Sequence, residues 1–120
     1  ITGYAVSKVG IVRFIESLSE ELKEYNIDVN SVAPGTINTN MLNEILKAGP
    51  KKIGKKAYKK ALIQKKRGGS SLKDTCELIL FLGSSYSDGI KGKLISSIWD
   101  DWKNWPKKID ILKKNDLFLL

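Results

Sequence analysis

Apolar residues recur at Val9, Val12, Ile15, Leu18 and Leu22, and Ile11 and Phe14 widen the same face. This helical spacing predicts a long helix over residues 3–25. Glu16, Glu20, Glu21, Lys23 and Glu24 fill its polar remainder, and Asn26 is a natural left-handed stop. So wide an apolar face is expected to be buried on more than one side. Residues 27–33 are short, β-branched and ended by Pro34-Gly35, which predicts a strand. A short helix is expected over 39–47, interrupted by Pro50, and a second over 51–66, where Ile53, Ala57, Ala61 and Leu62 make one apolar stripe before Gly68-Gly69. Ser71 with Asp74 reads as a capping-box pair opening a helix that runs to Leu82 and stops at Gly83. A polar loop over 84–92 leads to a second strand over 93–99. Two strands and about four helices make an α/β chain, but a lone pair of strands is marginal in water. The rest of the sheet is therefore expected in further sequence. An opening at Ile1, with no initiator Met, fits the same expectation of a piece of a longer chain.

Composition narrows the chemistry. With no histidine there is no His ligand and no Ser-His dyad, and the single Cys76 excludes a Cys-based zinc site, so no metal site is expected. Acid/base work falls to Tyr, Lys, Asp or Glu. The apolar run Leu78-Ile79-Leu80-Phe81-Leu82 is far shorter than the roughly 20 residues of a membrane span, and no charged-then-apolar leader is visible. A cytoplasmic protein without membrane association is the expectation. The net charge of +8 is local: residues 47–67 hold ten Lys or Arg and no acid, which leaves eleven basic residues against thirteen acidic elsewhere.

Tyr4 and Lys8 stand one helical turn apart, on one face. An ammonium so placed favours the phenolate and makes the phenol a usable proton donor or acceptor. Taken alone the spacing is common and describes an exposed surface pair equally well. Its surroundings are more specific. Tyr4-Ala5-Val6-Ser7-Lys8-Val9-Gly10 leads into the apolar helix and then into Asp28-Val29-Asn30-Ser31-Val32-Ala33-Pro34-Gly35. In this order and at this separation the chain resembles the short-chain dehydrogenase/reductase family. The resemblance is close from Thr2 to Met41. It is looser over 71–98, where a helix ends in Phe81-Leu82-Gly83-Ser84-Ser85 and Gly89-Ile90-Lys91-Gly92-Lys93 turns into a strand.

That resemblance implies a C-terminal portion of a Rossmann-like doubly wound parallel sheet, with residues 1–120 as one partial domain. It implies hydride transfer between NAD or NADP and a small carbonyl or alcohol substrate. Tyr4 would be the catalytic acid/base, and Lys8 would stabilise the Tyr4 phenolate and hydrogen-bond the nicotinamide ribose. Pro34 and Gly35 would shape the loop beside the nicotinamide, Ile37 would offer backbone groups to its carboxamide, and Thr39 its hydroxyl to carboxamide or pyrophosphate. Independently, ligands on such sheets sit beyond the carboxyl ends of strands, where the Pro34-Gly35 bend begins. A homodimer or homotetramer is implied, with the Tyr4 helix against its symmetry mate.

The family's glycine-rich phosphate loop and its catalytic serine and asparagine would lie before Ile1, so the 120 residues alone are expected to be inactive. The alternative is a truncated, non-catalytic paralogue acting as a binding module. The cofactor's 2′ position cannot be read from these residues. Residues 41–70 correspond to the family's substrate lid. On that reading the Lys-rich stretch is a solvated lid helix; a nucleic-acid or membrane-surface patch or an anionic-substrate site are the other readings, and nucleic acid is disfavoured because only Tyr58 interleaves the lysines. The Lys93–Trp102 stretch, with its Trp99-Asp100-Asp101-Trp102, resembles a bacterial subgroup with a C-terminal extension, which here would be residues 100–120. Trp99, Trp102 and Trp105 are expected to pack the tail onto its own domain, Cys76 to be a small core residue, and the apolar end from Leu117 to cover an interface or complete a packing segment.

Overall fold

The computed structural model describes residues 2–108 and Asp110. The elements follow in the order α1 (Thr2–Glu21), β1 (Ser31–Ala33), α2 (Asn40–Ile53), α3 (Lys55–Arg67), α4 (Leu72–Leu82) and β2 (Leu94–Ser96), with 3-10 turns at Ser85–Ser87 and Trp102–Lys107. The strands pair in parallel, Val32 opposite Ile95, with α2, α3 and α4 forming the crossover between them. This is the α/β layout expected of a partial Rossmann-like sheet.

Helix α1 ends earlier than its apolar period suggests. Glu20 and Glu21 set carboxylates at the negative end of the helix dipole, and no base stands in the last turn. The chain leaves through tight turns, Lys23 N–H donating to the Glu20 carbonyl (3.3 Å) and Tyr25 N–H to the Leu22 carbonyl (2.9 Å). Strand β1 is also shorter than expected: before it one backbone bond, Gly92 N–H to the Val29 carbonyl (2.8 Å), continues the pairing, and side chains supply the other contacts. The Asn30 amide donates to the Ile90 carbonyl (2.6 Å) and its oxygen accepts from Lys93 N–H (3.0 Å), while Asp28 accepts from Gly89 N–H (2.8 Å). Strand β2 likewise covers only the centre of the expected 93–99. Its end is turned by Ser96, whose N–H donates to Asp100 (2.6 Å) and whose hydroxyl accepts from Trp99 N–H (3.1 Å).

The helix expected over 39–47 continues to Ile53 with a kink at Gly49 (φ 76°, ψ 168°) just before Pro50. The proline cannot donate backward, so a new turn starts there, and the next helix begins at Lys55 rather than 51. Ser71 caps α4 by accepting from Lys73 N–H (3.1 Å), but the capping box does not close: the Asp74 carboxylate takes Lys103 Nζ instead (2.9 Å).

The core lies between α4, the strand pair and the C-terminal 3-10 turn. Leu78, Ile90, Ile95, Trp102 and Trp105 exclude water, with Val32, Phe81 and Leu82 packed against them. Each such aliphatic side chain contributes roughly 1.5–3 kcal/mol by burial. Trp102 stacks obliquely on Phe81, ring centroids 5.9 Å apart. Trp102 and Trp105 therefore pack as expected, whereas Trp99 does not: it is 86% exposed. Cys76 is exposed rather than in the core, because the buried face of α4 runs through Thr75 and Leu78. Helix α1 keeps only Ser19 buried, and Val6, Val9, Ile11 and Phe14 each stay more than half exposed. The apolar end from Leu117 lies outside the described residues. No helix among the described residues is long and apolar enough to cross a membrane.

Candidate active site

Tyr4 and Lys8 occupy successive turns of α1, and Lys8 Nζ stands 5.4 Å from the Tyr4 ring centroid, a cation–π contact. Both side chains are exposed and line an open groove of about 700 Å³ between α1 and β1. Val9, Val12 and Ile15 form its helical wall, Val32 and Leu94 its floor, and Pro34 and Gly35 its far lip. The structure thus brings together four of the six site residues expected from sequence: Tyr4, Lys8, Pro34 and Gly35.

The far lip is held by buried hydroxyls. Thr75 Oγ1 donates to the Pro34 carbonyl (3.2 Å) and lies 3.0 Å from Ser97 Oγ, while Ser97 N–H donates to the Ala33 carbonyl (3.0 Å). Gly35 adopts φ +76°, and a Cβ there would meet Ile98 Cγ1 at 2.8 Å and Ser70 Oγ at 3.0 Å. Only glycine fits that bend without displacement. Sequence reading overlooked Thr75 and Ser97. For Thr75 a signal existed: it is the hydroxyl on the α4 face that otherwise presents Leu78 and Leu82.

Ile37 and Thr39 lie further along the chain, outside that groove. The half-buried Ile37 accepts from Gln64 Nε2 at its carbonyl (3.3 Å), and the same amide reaches Asn38 Oδ1 (3.3 Å). Thr39 precedes α2; its carbonyl accepts from Leu42 N–H (3.0 Å), but its hydroxyl makes no cap bond. It borders a separate depression of about 340 Å³ with Asn38, Asn43 and Lys65. The 36–38 segment is pinned to the residues that follow α3 by Ser70 N–H donating to the Thr36 carbonyl (2.6 Å). It also passes so close to Gly69 that a Cβ there would stand 2.5 Å from the Thr36 carbonyl oxygen. Gly69, expected only as a helix breaker, is thus needed for this crossing.

A second groove, of about 670 Å³, lies between the last turns of α1 and residues 91–93. Its charges compensate one another: Arg13 pairs with Glu16 (2.7 Å), and Glu20, by hydrogen bond and charge, holds the Lys23 ammonium above the ordinary lysine range. Among the described residues no cluster of three His, Cys, Asp or Glu side chains could hold a metal.

A family model described as enoyl-(acyl carrier protein) reductase matches residues 1–97. The 3-oxoacyl-[acyl-carrier-protein] reductase FabG of Buchnera aphidicola is 37% identical over 94 residues, covering 78% of this chain and 36% of the relative. Its counterpart in Thermotoga maritima is 35% identical over 95 residues, with 78% and 35% covered. Nodulation protein G of a Rhizobium species is 31% identical over 94 residues, with 78% and 36% covered. The chain spans little more than a third of the length of these curated relatives. No solved structure matches it significantly. Over the stretch that holds both the Tyr4–Lys8 turn and the parallel strand pair, the chain belongs to the short-chain dehydrogenase/reductase family and matches its C-terminal portion.

Proposed function

We propose that the protein carrying this chain is an NAD(P)-dependent oxidoreductase that interconverts a carbonyl and an alcohol, with Tyr4 as proton donor and acceptor. The observation that carries this reading is the groove that Tyr4 and Lys8 share with the Pro34–Gly35 bend. Its residues suit a nicotinamide riboside: a phenol and an ammonium on one rim, and an apolar floor of Val32 and Leu94 for a flat ring. When bound, the nicotinamide supplies or accepts the hydride.

The protein's residues do the rest. In reduction the Tyr4 hydroxyl gives its proton to the carbonyl oxygen; in oxidation the Tyr4 phenolate takes the proton of the alcohol. Lys8 stabilises that phenolate and hydrogen-bonds the ribose. Pro34 and Gly35 form the wall beside the ring. Ile37 offers backbone groups to the carboxamide. Its carbonyl already accepts from Gln64, but a carbonyl oxygen has two lone pairs and can take a second donor. Thr39 offers its hydroxyl, free of helix capping, to the carboxamide or pyrophosphate.

The names of the FabG relatives point to a ketone in an acyl chain borne on a carrier protein as the substrate class. The exposed Val6 and Phe14 of α1, outside the groove, support a homodimer or homotetramer in which this helix meets its symmetry mate. The test is Tyr4→Phe in the full-length enzyme. Turnover is expected to fall by about 10²–10⁴-fold, with cofactor affinity, read by fluorescence titration of the reduced nicotinamide, left close to wild type. Near-normal turnover would defeat the assignment.

A further inference from the structure

Ser97 stands one residue past the end of β2 and is buried. Three bonds fix it. Its N–H donates to the Ala33 carbonyl (3.0 Å), its carbonyl accepts from the Trp102 indole Nε1–H (3.3 Å), and its hydroxyl lies 3.0 Å from Thr75 Oγ1. The Thr75 hydroxyl has one proton and gives it to the Pro34 carbonyl (3.2 Å). Ser97 is therefore the donor to Thr75. Trp102, Ser97, Thr75 and Pro34 thus form one line of contacts from the C-terminal 3-10 turn to the bend. Trp102, Ser97 and Thr75 are all buried, and hydrogen bonds shielded from water hold their partners more firmly than surface ones.

The same turn grips α4 on both sides of Thr75. Lys103 Nζ lies 2.9 Å from Asp74 Oδ1 and 3.3 Å from Glu77 Oε2. It also stands 5.3 Å from the Trp102 ring centroid, and that ring packs on Phe81 of α4. Asp100 accepts from Ser96 N–H (2.6 Å) and the Ser96 hydroxyl from Ile98 N–H (3.3 Å). These bonds set the turn in which Ile98 abuts the bend, its Cγ1 2.8 Å from where a Cβ on Gly35 would stand. Burial of an indole requires only some partner for its N–H. Here the partner is the residue whose hydroxyl supports the bend.

We infer that Trp102 is a positioning residue for the Pro34–Gly35 bend: by holding Ser97 it sets, through the Thr75 hydroxyl, where the Pro34 carbonyl stands. It acts through Ser97 and Thr75, not by contact with the reacting groups. Its effect on cofactor affinity rests on the reading of that bend as the wall of the nicotinamide site.

The test uses the full-length protein. Trp102 is replaced site-specifically by benzothienylalanine, which keeps the fused-ring shape and puts sulfur in place of the N–H; Trp102→Phe is the second variant. Hydrogen exchange of the cofactor-free protein, read by mass spectrometry, is expected to quicken several-fold over residues 33–38 in both. Affinity for the reduced nicotinamide cofactor, by fluorescence titration, is expected to fall about fivefold. Thr75→Val is expected to do the same, and combining it with either Trp102 variant to add little, because both act along one line of contacts. Leu78→Ala, a buried neighbour outside that line, is expected to lose stability and keep its cofactor affinity. Unchanged exchange over residues 33–38 in the benzothienylalanine protein overturns the inference, as does a double variant whose losses multiply. The exchange measurement needs no cofactor. A bend that loosens in a protein that binds no nicotinamide supports the positioning role and counts against the oxidoreductase reading alone.

Discussion

The α4–β2 region and helix α1 solve opposite problems. Between Leu78 and Trp105 five large side chains exclude water, and buried hydroxyls from Thr75 and Ser97 hold the end of β1. Along the twenty residues of α1 only Ser19 is buried, and Tyr4 and Lys8 stand in the open. One region supplies rigidity, and the other carries the pair proposed to do the chemistry. The groove between them has one lip anchored in the core and one carried on a helix whose apolar face the described residues leave largely uncovered.

The strongest way to break this division is at its chemical end. Tyr4→Phe should cost roughly 3–5 kcal/mol of transition-state stabilisation, read in kcat, while the melting temperature stays put because the side chain is more than half exposed. The reverse outcome belongs to Leu78→Ala, at a fully buried position. Urea denaturation should show a loss of about 2–5 kcal/mol, with KM and kcat of the folded enzyme little changed. Gly35→Ala straddles both regions. Its positive φ and the close approach of Ile98 predict a loss of roughly 1–3 kcal/mol together with weaker cofactor binding, measured by calorimetry. Unchanged cofactor affinity would detach the bend from the site.

Smaller is Thr75→Val, which leaves the Pro34 carbonyl without this donor. About 1 kcal/mol of stability should be lost, and KM should rise as the bend loosens. Least of all is Lys103→Met. Hydrogen bonds to Asp74 and then Glu77 hold the Lys103 ammonium above its ordinary value. A raised folded pKa stabilises at neutral pH and is lost as pH climbs beyond 10.5 through the folded value. The fully exposed group makes that loss slight. Wild-type melting should therefore drop a little more than that of the variant in alkaline buffer, and identical profiles would leave Lys103 outside the stability of the core.

Much of this was readable from the residues alone, unevenly. Helix α4 falls where Ser71 and Gly83 bracket it, since a cap and a stop act within one turn of the chain. The two strands were located but overestimated in length, because Asn30 and Asp28 pair through side chains where periodicity suggests a ladder. Cys76 was assigned inward and is exposed: an apolar residue on a helix says nothing about which side the core occupies, and that side is chosen by Ile90, Ile95 and the tryptophans. The same holds for Trp99, exposed only a few residues from two buried tryptophans, because Ser96 turns the chain there.

By itself the sequence determined what depends on neighbours in the chain: the Tyr4–Lys8 turn, the Ser71 cap, the Pro34–Gly35 bend and the segregation of positive charge into residues 47–67. Only the tertiary structure decided that Thr75 and Ser97 would hold Pro34 and Ala33, that Gly69 must lack a side chain where residues 36–38 cross it, and that Ile37 would be engaged by Gln64. The reason is physical. Helical spacing and backbone torsions act over a few residues, whereas hydrogen bonds between remote elements exist only after α4 and the strand pair have closed around Leu78 and Ile95.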